Sequence, residues 1–182
     1  MLLRMRTAQC VIYNRLAKTG STTTDVIIKQ TAARNGVHVM RSNVHRRRAL
    51  KSQDMADLNN RLQNSTKPWV YIRHIYFLDT LHLTPAPVYI NTVRDPIERM
   101  NSEFYWQRLS TENTKAHWTR HGTWNMSFDD CVQRYWPDNS DKCFLWNMRS
   151  YTIQFFCGQD EMCGNAALDI LSQCVKKSVG EA

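Results

Sequence analysis

Short apolar runs separated by polar turns and longer amphipathic stretches fill the first half of the chain, and that rhythm predicts strands alternating with helices. A strand is expected from Ala8 to Tyr13, a polar turn through Asn14-Arg15 and Lys18 to Thr24, and a helix from Asp25 to Arg34. The Ser/Thr cluster offers caps for that helix, Val26, Ile27 and Ala33 are assigned to its core side, and Asn35-Gly36 should end it. Further strands are expected from Val37 to Arg41, Trp69 to Ile72 and Pro87 to Val93, with a basic, exposed helix from His45 to Leu62.

The clearest helix start follows the fourth strand. In Arg94-Asp95-Pro96-Ile97-Glu98, Asp95 can cap, proline suits the first helical position and Glu98 completes a capping box. That helix should reach about Leu109, with Ile97, Met100, Phe104 and Leu109 near one face. From Ser110 to Trp136 the periodicity fades, leaving either a substrate-facing loop or merely a surface, whose Trp118 and Trp124 either stack on sugar rings or pack the segment. The order of elements predicts an α/β fold: one three-layer domain over residues 1–182 with a central parallel sheet, whose ligands sit beyond the carboxyl ends of the strands.

Composition narrows the partners. A formal charge of +8 over 182 residues favours a nucleotide or a polyanion. No zinc-finger, KH-like or RNP-like pattern accompanies it, so nucleic acid is not expected. The run His45-Arg46-Arg47-Arg48 with Lys51 is either a glycan-attracting edge or a solvated helix face. None of the six cysteines has CxxC spacing, so no metal is expected. Four of them lie between Cys131 and Cys163, where two disulfides would staple residues 127–165 in an oxidising compartment; buried cytosolic thiols are the alternative. Asn64 and Asn125 begin N-glycosylation sequons. No apolar run reaches the roughly 20 residues of a membrane span.

The turn from Lys18 to Thr24 combines glycine, hydroxyls and a lysine at a helix N-terminus, which suits an anion or simply a capped turn. Because Lys18 precedes Gly20, the order is not that of a Walker A loop, which counts against a P-loop kinase.

These residues carry a resemblance. Tyr13-Asn14-Arg15-Leu16-Ala17-Lys18-Thr19-Gly20-Ser21-Thr22 resembles the 5′-phosphosulfate loop of the uronosyl 2-O-sulfotransferases, and the segment from Tyr89 to Arg99 is similar to their 3′-phosphate segment. The segment from Tyr71 to Asp79 resembles the one bearing the family's catalytic histidine, which aligns with His74; the Arg73-His74 pair is similar to the uronyl 2-sulfotransferase and Pipe branch. Phe155-Phe156-Cys157-Gly158 with Cys163 resembles a disulfide loop of the family.

The resemblance implies transfer of a sulfuryl group from PAPS to the 2-hydroxyl of a uronic acid in a glycosaminoglycan, without a metal. It implies His74 as base and Lys18 as the cation at the leaving oxygen. Lys18, Thr19, Gly20, Ser21, Thr22 and Thr23 would hold the 5′ end of the donor, and Arg94 and Ser102 its 3′-phosphate, within a core of about residues 8–110. Arg15 and Arg73 would meet the acceptor, a salt bridge within the fold being the other reading of Arg15, and Cys131 would pair with Cys143 and Cys157 with Cys163. A Golgi setting and a chain shortened at both ends are further expectations, the alternative to the enzyme being a non-catalytic form that binds nucleotide and acidic glycan; homo-oligomerisation is left open.

Overall fold

The computed structural model describes residues 10–42, 49–79, 81–110, 112–135, 140–143, 151–159 and 163. They fall into two compact units, one comprising the described residues of Met1–Val93 and Gln154–Asp160, the other those of Arg94–Ile153 and Glu161–Ala182.

The first unit is built on strands β1 (Val11–Asn14), β2 (His38–Arg41), β3 (Trp69–Arg73) and β4 (Val88–Ile90), with helices α1 (Ser21–Arg34) and α2 (Ser52–Gln63). The four strands are parallel in the order β2-β3-β1-β4. Strand side chains alternate between faces, and each face has its own helix. Ile12, Met40, Trp69 and Tyr71 pack with Leu58 and Leu62 of α2. Tyr13, Val70 and Ile72, with Val11 and Val39 beside them, pack with Ala32 and Ile28 of α1. The result is helix, sheet, helix: the expected three layers of an α/β fold, with β1 central. The Tyr89 hydroxyl on β4 donates to the Leu78 carbonyl, and burial pushes its pKa up.

The phase of α1 differs from the expected one. Val26 is 47% and Ile27 56% exposed, and Ala33 is exposed as well. The inward stripe is Ser21, Asp25, Ile28 and Ala32, at helical spacing. Apolar content alone misplaces the stripe because a buried carboxylate, Asp25, occupies one of its positions and is stabilised there by cations. The helix also begins at Ser21, four residues before the expected start, because Gly20 adopts the left-handed conformation at its N-cap.

At α2 the described helix starts at Ser52, with Lys51 extended before it and Asp54 in the first turn, where its charge suits the helix dipole. Ala49 and Leu50, expected to be helical, are not; His45, Arg46, Arg47 and Arg48 lie outside the described residues.

The second unit contains α3 (Pro96–Ser110), α4 (Glu112–Arg120), α5 (Phe128–Tyr135) and a 3-10 turn, Ser140–Cys143. A sixth helix, α6 (Tyr151–Cys157), has its last residues in the first unit. Two helices thus stand where the fading periodicity left a substrate-facing loop or a plain surface open. They are held by packing rather than by a long apolar stripe: Phe104 meets Trp118 and Phe128 edge-on at 4.9 and 5.4 Å. Edge-to-face pairs of this kind add about 0.5–1.5 kcal/mol beyond area burial.

Trp118 is fully buried and Trp124 packs against the same core, which overturns a sugar-stacking role for Trp118 and gives Trp124 a packing partner. Met100 and Phe104 face inward as expected, whereas Ile97 is 38% and Leu109 86% exposed. Arg108 lies 4.2 Å from the Phe104 ring centroid and 4.7 Å from that of Trp118, and donates to the carbonyls of Thr123 and Met126. Burial pulls its pKa down, and a coulombic interaction with Tyr105 acts the other way. Cys131 and Cys143 are joined, their Cα atoms 6.1 Å apart, and Cys157 and Cys163 are each disulfide-bonded.

Candidate functional site

The turn between β1 and α1 is shaped by two left-handed residues, Lys18 at φ 66° and Gly20 at φ 78°. That region suits glycine; for a lysine it costs about 1 kcal/mol or more. No side chain caps α1, so the Ser/Thr cluster does not act as expected, and the first backbone bond of the helix is Thr24 N–H to Gly20 C=O. The N–H groups of the first turn therefore have no side-chain cap, an arrangement suited to an anion.

A hydroxyl relay holds the turn in place. Thr19 lies 2.9 Å from the Leu16 carbonyl and 2.9 Å from Thr92 Oγ1. Since the carbonyl can only accept, the Thr19 proton goes there, Thr92 donates to Thr19, and Tyr13 donates to Thr92 across 3.3 Å. Asn91 Nδ2, just past β4, donates to the Asn14 carbonyl at 2.6 Å. Asn14 Nδ2 in turn donates to the Phe155 carbonyl at 2.6 Å. The ends of β1 and β4 are thereby tied together under the turn. Asn14, Asn91 and Thr92 were not singled out from sequence; polar residues closing apolar strands were the available signal.

β3 is the other neighbour of β1, with Arg73 opposite Asn14. Arg15 N–H donates to the Arg73 carbonyl at 2.8 Å, and His74 Nδ1 lies 2.9 Å from the Arg15 carbonyl. A carbonyl cannot donate, so Nδ1 carries the proton and the lone pair of the neutral ring is on Nε2. The Arg15 side chain points elsewhere, 3.6 Å from Asp25 Oδ2 and 3.5 Å from Thr22 Oγ1. Asp25 is buried and also meets Lys29 at 3.0 Å and Arg41 at 3.5 Å. This charge cluster escaped the sequence reading, although Asp25 and Lys29 at i, i+4 were a legible pair.

Residues 3–167 match the model of the sulfotransferase family. The chain belongs to that family. It is 34% identical over 160 residues to heparan sulfate 2-O-sulfotransferase 1 of Cricetulus griseus, covering 85% of this chain and 44% of that protein. To uronyl 2-sulfotransferase of Homo sapiens it is 26% identical over 160 residues, covering 84% of this chain and 38% of the relative. The chain therefore spans less than half the length of the curated relatives it matches.

In this member of the family, the first unit brings together Lys18, Thr19, Gly20, Ser21, Thr22, Thr23, Arg15, Arg73 and His74 at the carboxyl edge of one sheet. Arg94 and Ser102 belong to the second unit. There Asp95 Oδ1 accepts the Glu98 N–H at 2.9 Å, giving half of the expected capping box. The Glu98 carboxylate bonds Arg94 Nε at 3.1 Å and so supplies an ion pair in place of the other half.

Beyond the ends of β2 and β3 lies a pocket of about 490 Å³ lined by Ser42, Asp54, Asp57, Arg61, Tyr71 and Arg73 among others. Its two carboxylates and two guanidinium groups balance in charge, so it suits a polar ligand better than a simple anion. Among the described residues, no cluster of His, Cys, Asp and Glu could hold a metal, and no helix is long and apolar enough to cross a membrane.

Proposed function

We propose that this chain carries the donor loop and base of a PAPS-dependent 2-O-sulfotransferase acting on uronic acid in a glycosaminoglycan. The observation that carries the reading is the hydrogen bond from His74 Nδ1 to the Arg15 carbonyl, made where β3 ends beside the uncapped turn of β1. In this reading, relatives named as uronyl and heparan sulfate 2-O-sulfotransferases support the acceptor class.

The chemistry asks little covalent work of the protein. His74 Nε2 takes the proton of the sugar hydroxyl as its oxygen bonds to sulfur, a role worth on the order of 10²- to 10⁴-fold. The bond from sulfur to the phosphate oxygen breaks, and PAP leaves with that electron pair. Lys18 offsets the charge on the leaving oxygen, while Thr19, Ser21, Thr22, Thr23 and the N–H groups after Gly20 hold the 5′ end. Arg94 and Ser102 take the 3′-phosphate and Arg73 faces the acceptor, whereas the Arg15 side chain, expected there too, is held on Asp25. The same reading carries a Golgi-lumen setting, supported by the Cys131–Cys143 disulfide, with the exposed Asn64 and Asn125 as glycosylation sites.

His74→Ala is expected to abolish transfer of labelled sulfate from PAPS to desulfated dermatan or heparan while PAP still raises the melting temperature. Equal loss of both would remove His74 from the role of base. PAP binding by the wild-type chain without any turnover would replace the enzymatic reading with one of nucleotide and glycan binding.

A further inference from the structure

The turn that follows β1 has a strained shape, and part of what holds it comes from another strand. Lys18 and Gly20 are both left-handed, at φ 66° and 78°, and Thr19 stands between them. A lysine keeps that conformation only where the surrounding contacts over-determine it. The Thr19 hydroxyl supplies such contacts, lying 2.9 Å from the Leu16 carbonyl within the turn and 2.9 Å from Thr92 Oγ1 just past β4.

The protons along this line run one way, from Tyr13 through Thr92 and Thr19 to the Leu16 carbonyl. With its single proton engaged there, the Thr19 hydroxyl has none to give a ligand and works as a strut. Thr92 is the joint at the far end of that strut. Its N–H donates to Asn91 Oδ1 at 2.8 Å, and Asn91 Nδ2 donates to the Asn14 carbonyl at 2.6 Å, so the main chain carrying Thr92 is itself fixed to the end of β1. Tyr13 is fully buried and Thr19 nearly so. Deleting the Thr92 hydroxyl would therefore leave the Tyr13 phenol without its acceptor and Thr19 without its incoming proton, both away from water.

We propose that Thr92 is a positioning residue for sulfuryl transfer: through Thr19 it keeps the turn in the shape that sets Lys18 at the leaving oxygen. It acts through Thr19 and touches neither donor nor acceptor in this role. The inference rests on the reading of the chain as a PAPS-dependent sulfotransferase and extends its machinery to the end of β4. Without the Thr92 hydroxyl the turn is free to relax, and the lysine charge is no longer preorganised where the negative charge develops. Arg73, assigned to the acceptor, is on β3 and outside this line, so acceptor binding should not follow the turn.

The test is steady-state sulfate transfer from PAPS to desulfated dermatan by the whole chain. Thr92→Val keeps the branched shape and removes the hydroxyl; kcat should fall roughly tenfold with the acceptor KM unchanged, while Thr92→Ser stays within about twofold of wild type. Tyr13→Phe, which leaves the bond from Thr92 to Thr19 in place, should lie between the two. Wild-type turnover by Thr92→Val, or equal losses in Thr92→Val and Thr92→Ser, overturns the proposal. Should Thr92→Val fail to fold, Thr92→Ala set against Thr92→Ser isolates the same hydroxyl. Amide hydrogen exchange supplies a readout that needs no turnover: Thr92→Val should speed exchange between Leu16 and Ser21 by about threefold or more and leave β3 as it was. Unchanged exchange in the turn would count against the strut. A wild-type chain indifferent to PAP would sink the proposed function, yet exchange would still decide whether Thr92 holds the turn.

Discussion

Two strand-to-helix passages in this chain meet the same problem, the unsatisfied N–H groups at a helix start, in opposite ways. After β4, Asp95 caps α3 and Glu98 pairs with Arg94 at the surface, the two side chains 66% and 39% exposed. After β1, no side chain caps α1, a lysine sits in the left-handed region, and the nearest carboxylate is buried beneath three cations. One passage is completed by its own residues; the other is braced from below and left open above. A capped start spends its N–H groups on stability, whereas a braced, uncapped one keeps them for an incoming anion.

The sharpest way to break this contrast is at the brace. Asp25→Ala should cost about 3 kcal/mol or more, because it leaves a buried Arg15 without its counter-charge. Glu98→Gln, which removes the exposed partner of Arg94, should cost no more than about 0.5 kcal/mol. Urea unfolding of the two variants measures both, and similar losses would erase the distinction between them.

Next comes Lys18→Gly. It relieves the left-handed strain, so stability should hold or rise, while sulfate transfer should fall on the order of 100-fold for want of the cation at the leaving oxygen. A drop in melting temperature without loss of transfer would reverse the assignment of Lys18.

The smallest effects test the caps themselves. Asp95→Ala should lower stability by about 1 kcal/mol, the usual worth of a capping side chain. Thr23→Ala, at an exposed position in the first turn of α1, should stay within about 0.5 kcal/mol. If Thr23→Ala cost as much as Asp95→Ala, a hidden cap would be operating at α1.

Much of this architecture was legible because β1 and β3 are short apolar runs and α3 opens on strong terminal signals such as Asp95-Pro96, although the inward face of α3 was only half right, with Ile97 and Leu109 exposed. What escaped were features decided by tertiary partners. α4 and α5 carry no long apolar stripe and depend on Phe104, Trp118 and Phe128 meeting edge-on. The inward face of α1 was misjudged because Val26 and Ile27 are more apolar than Asp25, yet only Asp25 has cations waiting for it. For the candidate site, the turn after β1 and His74 could be picked out by resemblance. That the Ser/Thr cluster would not cap, and that Asp25 would be the partner of an internal Arg15 salt bridge, could not, since both depend on the neighbouring strand ends.

The anchor of the imidazole is a main-chain oxygen, and this has a bearing on how the chain tolerates change. Almost any amino acid at position 15 would present the same carbonyl to His74, so the ring's tautomer is inherited from the path of the backbone and not from a side chain. Variation there would leave Nε2 its bearing, whatever it did to the contact with Asp25.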